Sequence, residues 1–148
     1  MAMNTSKVLV GGLAAGVVLN VIDWATYGYI FADRMKAATE AFKPGLSDSM
    51  MSGNAIAIYV ITDFVFGILL VWTYAAIRPR FGPGARTAMA AAILFWIIVA
   101  FTNAGYIQMG MMNASLWWTF AVIGLVNFIL AAWLGARLYT EEGTMAAA

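Results

Sequence analysis

Four long apolar stretches dominate this sequence of 148 residues and limit what it can fold into. They run over residues 8–31, 54–77, 87–107 and 116–139. Each is long enough to cross the hydrocarbon core of a bilayer as an α-helix, which takes about 20 residues. Only 10% of the residues are charged, whereas an ordinary soluble domain has about 25%. The sequence therefore predicts an all-α fold, with residues 1–148 forming one membrane-embedded domain built as a four-transmembrane-helix bundle.

Lys and Arg side chains beside these stretches predict the orientation of the chain, because such residues are retained on the cytoplasmic side of a membrane. On one side lie Lys7, Arg78, Arg80, Arg86 and Arg137. On the other side lie Arg34, Lys36 and Lys43, accompanied by Asp33, Glu40 and Asp48. The turn over residues 78–86 contains no acid. We therefore expect this basic turn and both termini to be cytoplasmic, which is an N-in/C-in arrangement.

The segment between the first two stretches is open to two interpretations. Residues 33–43 contain helix formers, with Met35 and Ala38 roughly along one side, and Pro44 and Gly45 follow them. This pattern predicts a helix lying in the membrane interface. The alternative, an exposed loop rich in turns, fits the same periodicity equally well.

The absence of Cys and His excludes several kinds of chemistry. Disulfides, thiolate metal sites and Cys nucleophiles need Cys, and imidazole-bound haem and the usual proton transfer near neutral pH need His. A net charge of +1 without a basic run argues against nucleic acid as a partner. We therefore expect no cofactor, no metal site and no enzymatic activity, since catalysis here would need a nucleophile–base pair or a metal cluster.

Small residues recur at spacings of three and four within each stretch, as helix contacts in lipid require. The glycines expected at such contacts are Gly12, Gly16, Gly67, Gly124 and Gly135. Gly12 and Gly16 form a GxxxG motif, which we expect to pack within the protomer rather than between protomers. Tyr59 and Tyr106 lie on the same stripes of residues, which we expect to face the interior of the bundle.

Polar residues on all four stretches are predicted to form one layer inside the bundle. They are Asn20, Asp23, Asp63, Asn103 and Asn127. At a rise of about 1.5 Å per residue, both acids come between the midplane and the outer third of the membrane. No basic residue lies at that depth, so we expect Asp23 and Asp63 to face inward and at least one to be protonated. Two interpretations remain: a proton, cation or small-ligand site, or a hydrogen-bonded plug that fixes helix register.

Two segments carry a resemblance to known sequences. GGLAAGVVLNVIDW in the first stretch and YAAIRPRFGPGAR after the second resemble small four-span bacterial membrane proteins to which no activity is assigned. The resemblance implies a bacterial inner-membrane protein and transfers no catalytic residue. We expect a non-catalytic accessory or scaffolding subunit whose partners are the lipid bilayer and either other membrane subunits or itself. The alternative is a small proton- or cation-coupled transporter or channel that uses Asp23 and Asp63.

Overall fold

The computed structural model describes residues 3–141, which form helices without any β-strand. The four long helices are α1 (Thr5–Ala25), which continues as a π-helical turn (Thr26–Ile30), α4 (Gly53–Phe81), α5 (Ala85–Asn103) and α7 (Ala114–Leu138). Three short helices connect them: α2 (Ala32–Phe42), α3 (Leu46–Met50) and α6 (Gly105–Gln108). All four long helices have the length and apolarity needed to cross a membrane. The prediction of a helical fold with four membrane-spanning helices is therefore confirmed.

Side-chain caps explain where three of the long helices begin. Asn4, Ser52 and Asn113 each accept a hydrogen bond from the backbone N–H three residues further on. These bonds satisfy donors that the first turn of a helix leaves without a partner. Each helix consequently starts a few residues before the apolar stretch that predicts it.

The turn between α4 and α5 is tighter than the sequence predicts. Pro79 lies inside α4, which continues to Phe81 because only one backbone donor is lost so close to the helix end. The reversal is confined to Gly82–Gly84, where Gly82 has a φ of 84° and Gly84 a φ of 116°. Only glycine adopts these values without strain.

Of the two interpretations of residues 33–43, the structure has the helix, α2. The Glu40 carboxylate closes the turn that follows it, accepting hydrogen bonds from the N–H of Gly45 at 2.8 Å and of Ser47 at 3.0 Å. These two bonds hold the pKa of Glu40 below its usual value. Gly45, with a φ of 78°, reverses the chain into α3.

The long helices form a bundle in which α1 packs against α4 and α7, while α5 packs mainly against α7. The starts of α1 and α5 and the ends of α4 and α7 meet at one end, which we call the basic end because it carries Arg78, Arg80 and Arg86. The opposite end, which carries α2, we call the α2 end. Residues with no exposed surface lie in the half nearer the basic end: Ala15, Leu70, Val71, Ala91, Ala92 and Ala131.

Packing is much looser around the part of α4 nearer the α2 end. The six consecutive residues Ile56–Ile61 are all exposed. Since one turn takes 3.6 residues, exposed side chains surround α4 here, and a hydrogen bond from Asn20 to the Val60 carbonyl still links it to α1. Tyr59, which the sequence places on an inward stripe, is 48% exposed, so that prediction is wrong. Toward the basic end, Thr62 is the first residue of α4 after this exposed run that is half-buried.

Candidate functional site

Close contact between α1 and α4 positions the polar site, and it depends on three of the predicted glycines. A Cβ added to Gly12 would come 2.5 Å from the Ile68 Cα, and one on Gly16 would come 2.8 Å from the Phe64 Cα. A Cβ on Gly67 would meet the backbone of both Gly12 and Gly16. The two backbones therefore touch, as small-residue motifs allow in lipid.

A second face of α1 packs equally closely against α7. A Cβ on Gly11 would lie 2.6 Å from the Gly135 carbonyl oxygen, and one on Gly135 would lie 3.4 Å from the Ala15 Cβ. Gly135 is among the glycines predicted at helix contacts, whereas Gly11 is not. The signal was present, because Gly11 and Ala15 form a small-xxx-small pair one residue out of step with Gly12 and Gly16.

Gly124 differs from the other glycines. The nearest atom to an added Cβ would be the Trp96 Cδ1, 4.0 Å away. Gly124 thus lies beside α5, but the contact does not require a glycine. The α5–α7 contact is instead joined by indole hydrogen bonds, from Trp96 to the Ala121 carbonyl at 2.7 Å and from Trp117 to the Ala100 carbonyl at 3.2 Å.

The centre of the polar site is a hydrogen bond between α7 and α1. The Asn127 side-chain amide donates to the Asp23 carboxylate at 2.7 Å. It also lies 3.5 Å from the Leu19 carbonyl oxygen. Asn127 is only 3% exposed, and its Oδ1 has no hydrogen-bond partner within residues 3–141. The site thus combines a carboxylate with a buried acceptor that lacks a donor.

Asp63 of α4 completes the acidic part of the site. Asp63 directly precedes Phe64, whose Cα lies beside Gly16 of α1, so Asp63 is near the close contact of α1 with α4. Each acid is about 27 Å along its helix from the basic end, at 1.5 Å per residue. Within residues 3–141, Asp63 accepts no hydrogen bond and neither acid has an ion-pair partner. Two carboxyl groups of neighbouring helices therefore share one level without a basic residue.

Aromatic rings cover the site toward the α2 end. The Tyr27 ring packs on Phe120, with their centroids 4.7 Å apart, and Phe31 meets the same ring edge-on at 5.6 Å. The Arg34 guanidinium lies 5.8 Å from the Phe31 centroid, outside this cover.

The other two predicted members of the polar layer lie elsewhere. Asn20 donates to the Gly16 carbonyl at 2.9 Å and to the Val60 carbonyl at 3.3 Å, so it joins α1 to α4. Asn103 is the last residue of α5 and forms no side-chain hydrogen bond within residues 3–141. A single layer contributed by all four helices is therefore not present, because α5 lies on the far side of the bundle from α1.

At the basic end, Arg78 has a structural role that the sequence did not predict. It forms an ion pair with Glu141 at 3.2 Å and lies over the Tyr139 ring, 5.5 Å from its centroid. The Tyr139 hydroxyl accepts from the Asn4 N–H at 3.4 Å. Arg78 therefore ties the end of the described chain to α4, whereas Arg80 and Arg86 are exposed.

The fold and site together define a polytopic helical protein with a polar, acid-containing centre between three of its membrane-spanning helices. Within residues 3–141 no group of three or more acidic side chains converges as a metal site would require. No family model, curated protein or solved structure matches this chain.

Proposed function

We propose that this protein is a non-catalytic integral membrane protein that acts as a subunit, assembling with a further transmembrane chain in the bacterial cytoplasmic membrane. The observation that supports this proposal is the uncovered part of α4 over Ile56–Ile61. A run of exposed side chains longer than one helical turn offers a surface that a partner helix can cover.

The chemistry of this surface favours a specific partner over lipid alone. Asp63 lies one turn beyond Tyr59 on the same face of α4, so the exposed face leads directly to a carboxyl group without a donor. A carboxylate that faces hydrocarbon costs at least about 2.5 kcal/mol. A partner helix with a hydrogen-bond donor or a basic side chain at that depth would satisfy Asp63 and cover Tyr59 together.

The same geometry favours a different chain over a second copy. A two-fold symmetric contact places the same surface patch on both sides. Here it would bring two Asp63 carboxyl groups toward each other, with no basic residue at that level to separate them. A partner that supplies a donor avoids this repulsion.

Cross-linking from single cysteines tests the assembly, because the chain has no Cys of its own. Cys at Ile58 or Ile61, labelled with a photoreactive maleimide in native membranes, is expected to give one adduct of defined higher mass. Matched controls are Ile98 and Val122, which are 55% and 58% exposed, compared with 62% for Ile58 and 61% for Ile61. Equal yields from all four positions would contradict a specific partner on α4, and an adduct of twice the monomer mass would show self-association instead.

The orientation is part of the proposal and is tested with the same kind of variant. The excess of Lys and Arg at the basic end supports a cytoplasmic location for both termini. A membrane-impermeant maleimide added outside intact cells is expected to label Cys at Asn54, near the α2 end, but not Cys at Arg80. The reverse pattern would show the opposite orientation.

A second candidate function is proton or cation transport, supported by the buried Asn127 Oδ1 next to the acid pair. A cation bound there would interact with the Asp23 carboxylate and supply the positive charge that this acceptor lacks. The half nearer the basic end is closed by residues such as Leu70 and Val71, which have no exposed surface. Transport would therefore need a rearrangement of the helices rather than an open pore through one protomer.

Flux measurements separate this candidate from the assembly proposal. If the acids transport, Asp63→Asn is expected to abolish proton or cation flux in liposomes while the melting temperature stays unchanged, since Asp63 accepts no hydrogen bond within residues 3–141. Wild-type flux no greater than that of protein-free liposomes would eliminate the transport candidate. It would leave the assembly proposal intact.

A further inference from the structure

A groove separates α5 from α7 at the basic end, on the face away from α1. It has a volume of about 280 Å³. Its lining is almost entirely apolar and consists of Ala85, Ala88, Met89, Ile129, Leu130 and Trp133. Ala85 and Ala88 of α5 leave this groove open because their side chains are small.

Cationic side chains lie where this groove opens. The Arg137 guanidinium is stacked over the Trp133 ring, 3.7 Å from its centroid. Arg86 directly follows Ala85, the first residue of α5. Both arginines are exposed, and within residues 3–141 neither forms an ion pair, in contrast to Arg78. Arg137 thus places a positive charge on a ring that lines the groove, and Arg86 adjoins the groove in the chain.

The depth of the groove matches the layers of a lipid leaflet. Ala85 lies at the very start of α5, and Trp133 lies about 7.5 Å from the end of α7, at 1.5 Å per residue. By the same rise, Ile129 lies about 13.5 Å below that end. Trp and Arg prefer the headgroup level, and the aliphatic residues lie below it in the hydrocarbon. The groove is therefore polar and charged at the headgroup level and apolar below it, in the same order as the parts of a phospholipid molecule.

We propose that this groove binds an anionic phospholipid, with its phosphate between Arg86 and Arg137 and an acyl chain along Met89, Ile129 and Leu130. Arg guanidinium groups match phosphate oxygens with paired hydrogen bonds, which a zwitterionic headgroup satisfies less well because its own cation competes. Basic pockets between transmembrane helices bind anionic headgroups in the same way. The site is independent of the assembly surface on α4 and of the acid pair.

Native mass spectrometry tests this site with two lipids that differ only in the headgroup. The purified protein is incubated with equal amounts of phosphatidylglycerol and phosphatidylcholine that carry the same acyl chains. Wild type is expected to retain phosphatidylglycerol preferentially. Arg86→Gln and Arg137→Gln are each expected to weaken its retention about fivefold, the factor that a basic residue near an anionic membrane surface contributes. Equal retention of both lipids by wild type would overturn the proposal.

Two further variants separate the groove from general surface charge. Arg80→Gln removes an exposed arginine at the same end that lies in α4 and adjoins no groove residue in the chain, and it should leave lipid retention unchanged. Leu130→Trp is expected to fill the groove and reduce phosphatidylglycerol retention with both arginines still present; Leu130 is 45% exposed, so the bundle should tolerate it. A loss with Arg80→Gln as large as with Arg137→Gln, or full retention by Leu130→Trp, would show that no built site exists.

Discussion

Gly67→Ala is expected to lower the thermal stability of the purified protein more than any other single methyl group added to the chain. The new Cβ would run into backbone atoms of Gly12 and Gly16, which cannot rotate away as a side chain can. Overpacking a core costs about 1–3 kcal/mol and occasionally more, and a clash between two helix backbones belongs at the upper end. Melting followed by circular dichroism in detergent measures the change.

Gly124→Ala provides the matched control for this prediction. Its Cβ would approach only the Trp96 Cδ1 at 4.0 Å. Alanine is better than glycine inside a helix by up to about 1 kcal/mol. This variant is therefore expected to melt at the wild-type temperature or slightly above it. Similar losses for both variants would mean that α1 and α4 do not touch as described.

Asn127→Leu is expected to have the second large effect, because Asn127 is the one donor to the Asp23 carboxyl group within residues 3–141. Leu has the same number of side-chain heavy atoms as Asn and leaves no cavity, so the loss reports the hydrogen bond to Asp23 at 2.7 Å together with some overpacking. Leaving a buried acceptor without its partner costs about 1–3 kcal/mol, and more when the acceptor is charged. The same detergent melting experiment measures it.

The matched control is Asn103→Leu, the same substitution at a position without a side-chain hydrogen bond in the described chain. We expect it to change stability by no more than about 0.5 kcal/mol, because Asn103 is only half-buried and lies at the end of α5. A double variant, Asp23→Asn with Asn127→Leu, should lose less than the sum of the two single changes, because both remove one interaction. Additive losses would show that the two side chains do not stabilise the bundle together.

These expectations follow from the central position of α1. One face of this helix, with Gly12 and Gly16, contacts α4, and the adjacent face, with Gly11 and Ala15, contacts α7. Beyond this close contact toward the α2 end, the same helix carries Asn20 and Asp23, which reach α4 and α7 respectively. Tight apolar packing near the basic end thus holds the polar groups in position near the α2 end.

The uncovered part of α4 begins where that tight packing ends. Gly67 is the last residue of α4 toward the α2 end that is buried, and all residues from Ile61 back to Ile56 are exposed. Asp63 lies at this boundary. Its position explains why one carboxyl group serves both candidate functions: it shares the level of the acid of α1 and borders the exposed surface of α4.

Several structural features of this protein follow directly from its sequence. The number of long helices follows from four apolar stretches, because a bilayer leaves few other ways to satisfy their backbone groups. The shared level of Asp23 and Asp63 follows from counting residues at a constant helical rise. The close approach at Gly12, Gly16 and Gly67 follows from their spacing, since residues three and four apart lie on one face.

Which helix faces meet depends on how the whole bundle packs. Helical periodicity places Asn103 and Asn127 on inward stripes equally well, yet α7 lies against α1 and α5 does not, so only Asn127 reaches Asp23. Gly11 lies one residue before the GxxxG motif of Gly12 and Gly16. It is a contact residue because α7 approaches α1 from a different direction than α4 does. The uncovered Tyr59 has the same cause: a sequence pattern specifies the face of a helix, but whether a neighbour covers that face depends on contacts between residues far apart in the chain.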